Sequence, residues 1–142
     1  MCEVAYEAGL FDGEGSISVL FSQGRYNTYS LRVGVLMTTR QAVDSLYQKY
    51  GGSFYTQTRP GNRKNAVAWH LSNDQAVEFL VKILPYLKDK REQAELVISY
   101  WPESSKRGST GSGGRTADPN KVWFRSYVRD KLVEIRSKEI ED

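Results

Sequence analysis

Eleven residues near the start of the chain, Ala5-Tyr6-Glu7-Ala8-Gly9-Leu10-Phe11-Asp12-Gly13-Glu14-Gly15, constrain its fold more than any other stretch. Ala5, Gly9 and Gly13 recur every four residues, which places small side chains on one face of a helix. Tyr6, Leu10 and Phe11 are expected to supply bulk for a core on another side. A glycine inside a helix costs about 1 kcal/mol relative to alanine, so two of them call for a compensating gain, and close approach of a second backbone supplies one. The face therefore predicts a partner helix. Gly15 lets the chain turn out of the helix into an alternating strand that begins at Ser16. Glu14, at the negative end of the helix dipole, is disfavoured unless a cation compensates it. A hard divalent ion such as magnesium, which takes carboxylate and carbonyl oxygens, would do so. A calcium loop starting at Asp12 is excluded, because Ile17 stands where the loop needs glycine and Gln23 where it needs glutamate.

The segment Glu7 to Gly15, EAGLFDGEG, resembles the LAGLIDADG motif of homing endonucleases. Ala8, Gly9, Leu10, Asp12 and Gly15 are identical to it, Phe11 stands for an apolar residue, Gly13 for the small residue and Glu14 for the second acid. Glu7 departs from the pattern in place of the first leucine, ahead of the metal-binding end. The rest of the chain is similar in order and length to the small, one-motif members of that family. The resemblance implies an α+β fold of αββαββα order, a four-stranded antiparallel sheet shaped as a saddle with helices on one face. It implies a homodimer whose motif helices meet across a twofold axis through Ala5, Gly9 and Gly13. The implied activity is a staggered double-strand break in a long, near-palindromic DNA site by metal-dependent hydrolysis. In that scheme Glu14 and the Gly13 carbonyl hold Mg2+, for which Ca2+ or Mn2+ can substitute. Lys90, within Lys88-Asp89-Lys90, polarises the phosphate or orders the water network, and Asp12 fixes the helix ends by hydrogen bonds. Met37 stands where some members carry a glutamine, which leaves Arg40 or Gln41 to help position water. The alternative on the same scaffold is an RNA-binding intron splicing factor or a DNA-binding regulator without catalysis.

A chain of 142 residues suits one domain spanning its whole length. The net charge is only +3, but its distribution is uneven. Between Gln23 and Leu71, Arg25, Arg32, Arg40, Lys49, Arg59, Arg63 and Lys64 face the single acid Asp44, a balance that points to phosphate. Cys2 and His70 are each the only residue of their type, which excludes an internal disulfide, a zinc finger, an HNH-type nuclease and a Ser-His-Asp triad. A reducing, intracellular setting is the natural expectation. No apolar run approaches the roughly 20 residues that cross a membrane, and the N-terminus does not read as a targeting peptide.

Along the chain, Ser16 to Ser22 alternates, with Ile17, Val19 and Phe21 expected inward and Ser16, Ser18, Leu20 and Ser22 outward. Gln23 to Asn27 forms a hairpin tip, and the strand from Tyr29 to Met37 sends Leu31, Val33 and Val35 inward, leaving Ser30, Arg32 and Gly34 on the open face. A helix capped by Thr38 or Thr39 should run to Tyr50 with Ala42, Val43, Leu46 and Tyr47 buried, and Gly51-Gly52 should stop it. A second hairpin joins 53–59 to 65–71, with Val67, Trp69 and Leu71 inward and Ala66, Ala68 and His70 outward. Phe54 and Tyr55 compete for the core, so either Thr56 and Thr58 or Gln57 and Arg59 face outward. Ser72 should cap a helix burying Ala76, Phe79, Leu80 and Ile83, which Pro85 breaks. The next helix carries Ala94, Val97, Ile98 and Trp101. Ser104 to Asn120 reads as a mobile loop without the ending of a phosphate loop, so no nucleotide cofactor is expected. A last helix, 119–138, buries Phe124, Val128, Leu132 and Ile135, with Lys121, Arg125 and Arg129 available to phosphates or solvent. The outward side chains of the two hairpins, Ser18, Ser22, Gln23, Arg25, Tyr26, Asn27, Ser30, Arg32, Gln57, Arg59, Arg63, Lys64 and His70, form the candidate surface for double-stranded DNA.

Overall fold

The computed structural model describes residues 3–22, 28–58, 60–61, 65–106 and 119–141. Gln23, Arg25, Tyr26, Asn27, Arg59, Arg63 and Lys64, expected on the DNA-facing surface, lie outside the described residues, as do 107–118 of the expected loop.

The motif segment is helical over α1 (Glu3–Glu14) and passes directly into β1 (Gly15–Ser22). Gly15 makes that junction possible, since a Cβ there would sit 2.6 Å from the Phe11 carbonyl oxygen and run into the Phe11 ring. There follow β2 (Thr28–Met37), α2 (Arg40–Tyr50), β3 (Ser53–Gln57), β4 (Ala66–Ser72), α3 (Asn73–Ile83), a 3-10 turn at Leu84–Tyr86 that contains Pro85, α4 (Arg91–Lys106) and α5 (Pro119–Glu141). The strands form one antiparallel sheet in the order β1-β2-β4-β3, so the two hairpins join along their second strands.

Strand alternation divides the sheet into two faces. Ile17, Val19, Leu31, Val33, Val35, Val67, Trp69 and Leu71 are buried with Phe11, Val43, Leu46, Phe79, Leu80, Ile83, Trp101, Val128 and Leu132 from the helices. Trp69 sits among aromatic rings of three elements. Its ring lies 5.4 Å from Phe79 and 6.2 Å from Tyr50, and Phe79 in turn meets Phe11 edge-on at 5.6 Å. The indole N–H of Trp69 donates to the Gly51 carbonyl at 2.7 Å, tying β4 to the glycine turn that ends α2. Both glycines of that turn have positive φ, and the Gly51 N–H closes the helix on the Tyr47 carbonyl.

Several expectations are corrected. Tyr6 is 56% exposed, because it lies on the outward side of α1 beside Gly9 rather than on the side that carries Ala8 and Phe11. Phe21, near the end of an edge strand, stays partly exposed against its cross-strand partner Tyr29. Tyr47 is also partly exposed, its ring tilted against Phe54, and Ala42 is half-buried. Thr39 and Ser72 occupy N-cap positions without side-chain caps; Asn73 at positive φ instead accepts the Leu31 N–H on Oδ1. Residues 104–106 and 119–120, expected in the loop, are helical. Ala66 and Ala68 share the outer face but are buried. Ala68 lies in a row between Leu36 and Tyr55, whose larger side chains flank it. The ambiguous strand is resolved by pairing: Phe54 faces the helices opposite Trp69, so Ser53, Tyr55 and Gln57 share the outer face with His70. Arg125 turns inward, donating to the Tyr29 carbonyl at 2.8 Å with its guanidinium over Trp101.

Candidate active site

The C-terminus of α1 is held by a reciprocal clasp. Asp12 accepts the backbone N–H of Lys88 at 2.8 Å and of Lys90 at 3.0 Å, while Lys90 Nζ donates to the Asp12 carbonyl at 2.7 Å. Lys90 also opens α4, its carbonyl accepting the Ala94 N–H. The acid thus lies at the positive end of one helix and the ammonium at the negative end of another, each the favourable sign for its position. Both carboxylate oxygens of Asp12 are occupied by backbone N–H groups of the segment that leads into α4. The carbonyl that Lys90 holds belongs to Asp12, two residues before Glu14, so its ammonium supplies a compensating cation at the helix end.

Glu14 is exposed and has no hydrogen bond or ion pair among the described residues. It borders a hollow of about 370 Å³ on the helix-free face of the sheet, together with Ser16, Arg32, Gly34, Leu36, Tyr55, Gln57 and His70. Ser16, Gly34 and His70 form one cross-strand row in its floor, on β1, β2 and β4. Gly34 keeps the floor bare: a Cβ there would meet the Trp69 carbonyl oxygen at 2.7 Å and His70 Cβ at 3.0 Å. His70 packs edge-on against Tyr55 at 5.7 Å. Burial, and then the Arg32 guanidinium, hold the His70 imidazole below its ordinary range, so it is neutral at pH 7. Arg32 Nε is buried and donates to no acceptor among the described residues.

Of the residues expected at the site, Glu14, Arg32, Gln57 and His70 line this hollow. Ser18 and Ser30 lie on the same sheet face beyond it. Ser22 pairs with Thr28 at the far end of the first hairpin. Arg40 pairs with Asp44 at 3.7 Å and lies over Phe54, and neither it nor Gln41 lines the hollow. Gly9 and Gly13 are exposed with nothing within 4 Å of a Cβ, and Ala5 is half-buried. Sequence reasoning missed Tyr55, whose parity depended on strand pairing, and Gly34, whose emptiness matters only once β4 lies beside it. It also passed over Glu7, which is 5% exposed and accepts from Lys49 Nζ at 2.6 Å and Tyr50 Oη at 2.6 Å. The acid in place of an apolar motif residue was the available signal.

Among the described residues, no three histidine, cysteine or acidic side chains gather to hold a metal ion. The exposed Glu14 carboxylate and the carbonyl of Gly13 at the helix end are hard oxygen donors that fit a divalent cation, with further ligands required from outside this chain.

No protein-family model and no curated protein matches the sequence. Solved structures do. The homing endonuclease I-CvuI, in complex with the I-CreI target in the presence of 2 mM Mg with the DNA not cleaved, is similar with a TM-score of 0.72 and 19% identity, over 94% of this chain and 81% of that one. The archaeal intron-encoded homing endonuclease I-Vdi141I, complexed with DNA, gives a TM-score of 0.72 at 14% identity, over 94% and 83% of the two chains. The LAGLIDADG homing endonuclease I-GzeII, in complex with its DNA target, gives 0.61 at 10% identity, covering 96% of this chain but 44% of that one. This chain therefore spans most of the first two and about half of the third. Its architecture, a four-stranded antiparallel sheet backed by helices with the motif helix leading into the first strand, is the LAGLIDADG homing-endonuclease fold.

Proposed function

We propose that the chain is a site-specific DNA endonuclease that acts as a homodimer on a long, near-palindromic duplex, cutting both strands by metal-dependent phosphodiester hydrolysis. The observation that carries this reading is the placement of an exposed Glu14, unpaired among the described residues, at the rim of a hollow on the open sheet face that also holds Arg32, Gln57 and His70. Strand ribbons fit the major groove and present a side chain every second residue, so Ser18, Ser30, Arg32, Gln57 and His70 would face base edges and phosphates. A second copy would pack its α1 against the α1 of this one, where Gly9 and Gly13 leave room, and bring a second Glu14 to the centre.

Glu14 and the Gly13 carbonyl would hold the magnesium ion. When bound, it would supply a water of lowered pKa and charge neutralisation at the leaving oxygen. Lys90, fixed by Asp12, adds positive charge beside the scissile phosphate, where charge develops in the transition state. Asp12 would have to release two N–H groups to reach a metal, so it positions rather than ligates.

The test is incubation with a randomised palindromic duplex library and magnesium, using wild type and Glu14→Gln. Wild type is expected to yield cleaved products from a selected subset, and the variant to retain that subset while cutting none of it. Binding without cleavage by wild type would remove the nuclease reading and leave a binding protein. Normal cutting by Glu14→Gln would remove Glu14 from the metal site.

A further inference from the structure

The hollow beside Glu14 has a chemistry more specific than a general affinity for DNA. Arg32 lies on β2 and His70 on β4, the two inner strands of the sheet, so neither stands at the rim where phosphates pass. They are diagonal neighbours on one face, since Gly34 pairs with His70 while Arg32 is two residues before Gly34. Such neighbours have their Cβ atoms roughly 7 Å apart. Between them Gly34 adds no side chain to the hollow that all three residues line, so a flat base edge can enter there. Arg32 brings donors only, and its buried Nε has no acceptor among the described residues. His70, neutral and steadied by Tyr55, offers one ring nitrogen as an acceptor.

In the major groove a G·C pair presents two acceptors on guanine, N7 and O6, and a donor on cytosine N4. An A·T pair instead places a donor on adenine beside its N7. Resting on the proposed nuclease reading, we infer that this hollow selects a G·C pair at the inner end of each half-site, next to the cut, with guanine on Arg32 and its cytosine on His70. Glu14 on the rim of the same hollow fixes that location along the site.

The experiment is selection of bound duplexes from the randomised palindromic library, sequenced for wild type, Arg32→Gln and Arg32→Met. Wild type is expected to prefer guanine at one inner position by about 10- to 100-fold. Arg32→Gln is expected to move that preference to adenine, because glutamine pairs with adenine N6 and N7, with every other position unchanged. A misfolded protein cannot produce that exchange. Arg32→Met should relax the same position while leaving the slope of affinity against salt intact. The inference is overturned if wild type shows no guanine preference at any inner position. It is overturned equally if Arg32→Met weakens all sequences alike and lowers the salt slope by about 1, the signature of a phosphate contact. A wild type that selects no duplex at all overturns the nuclease reading together with the inference, whereas selection without the inner guanine overturns the inference alone.

Discussion

Asp12 and Gly15 show how much of the site depends on single residues that touch no substrate in the proposed scheme. Asp12 accepts two backbone N–H groups of the segment leading into α4, and through them sets where Lys90 begins. Asp12→Ala leaves both donors without that acceptor, and a loss of about 2 kcal/mol in stability follows, less where water replaces the carboxylate. Denaturant unfolding should register that loss, and cleavage should fall further than binding because Lys90 loses its register. Equal loss of both would mean the clasp supports only the fold. Gly15→Ala acts differently. Its methyl would lie 2.6 Å from the main-chain oxygen of Phe11, which cannot swing aside as a side chain can. Misfolding, or destabilisation of about 3 kcal/mol, is expected on unfolding, in line with overpacking in a dense interior. A variant that melts with wild type would show that the helix end relaxes freely.

The elements formed as their periodicities dictate, while partners far apart in the chain stayed hidden. Ile17 and Val19, then Leu31, Val33 and Val35, alternate strongly enough that the buried sheet face could be read directly, and Ala76, Phe79, Leu80 and Ile83 mark the inner side of α3. Alternation cannot say where a strand lies in the sheet, so Phe21 at an edge and Tyr47 at a helix margin were placed too deep. The acid at position 7 was legible as an oddity and nothing more, since its partners lie 42 and 43 residues away on α2. Those partners give it a measurable consequence. Burial first, and then the hydrogen bond to Glu7, push the Tyr50 phenol up to about 12, and the hydrogen bond to Glu7 raises Lys49 as well. Above about pH 10 an unfolded chain releases protons that the folded one retains, so stability falls as pH rises between the two pKa values. Urea midpoints measured at about pH 9 and pH 11 should drop for wild type and drop less for Tyr50→Phe, which has no phenol to titrate. An equally steep drop in the variant would mean that this junction of α1 and α2 is not what alkali weakens.

At the scale of the whole molecule, the glycines of α1 separate what the single chain needs from what only an assembly needs. Gly15 is packed against Phe11, whereas a Cβ added at Gly9 or Gly13 would meet nothing within 4 Å. Among the described residues, then, nothing rewards those two glycines for the helix propensity they forfeit, about 1 kcal/mol each. Tyr6, exposed on the same helix, is a second sign that this surface is unfinished in the isolated chain. If the missing contact is a second copy, Gly9→Leu should raise or preserve the thermal stability of the monomer, since a good helix former replaces a poor one in open space. The same substitution should abolish self-association, because a leucine cannot fit where two backbones approach closely. Sedimentation should therefore move from dimer to monomer while circular dichroism stays native, and double-strand cutting should disappear with the dimer. A Gly9→Leu protein that sediments and cuts as wild type would show that α1 does not form the interface, and the pairing of two Glu14 carboxylates would lose its geometric basis.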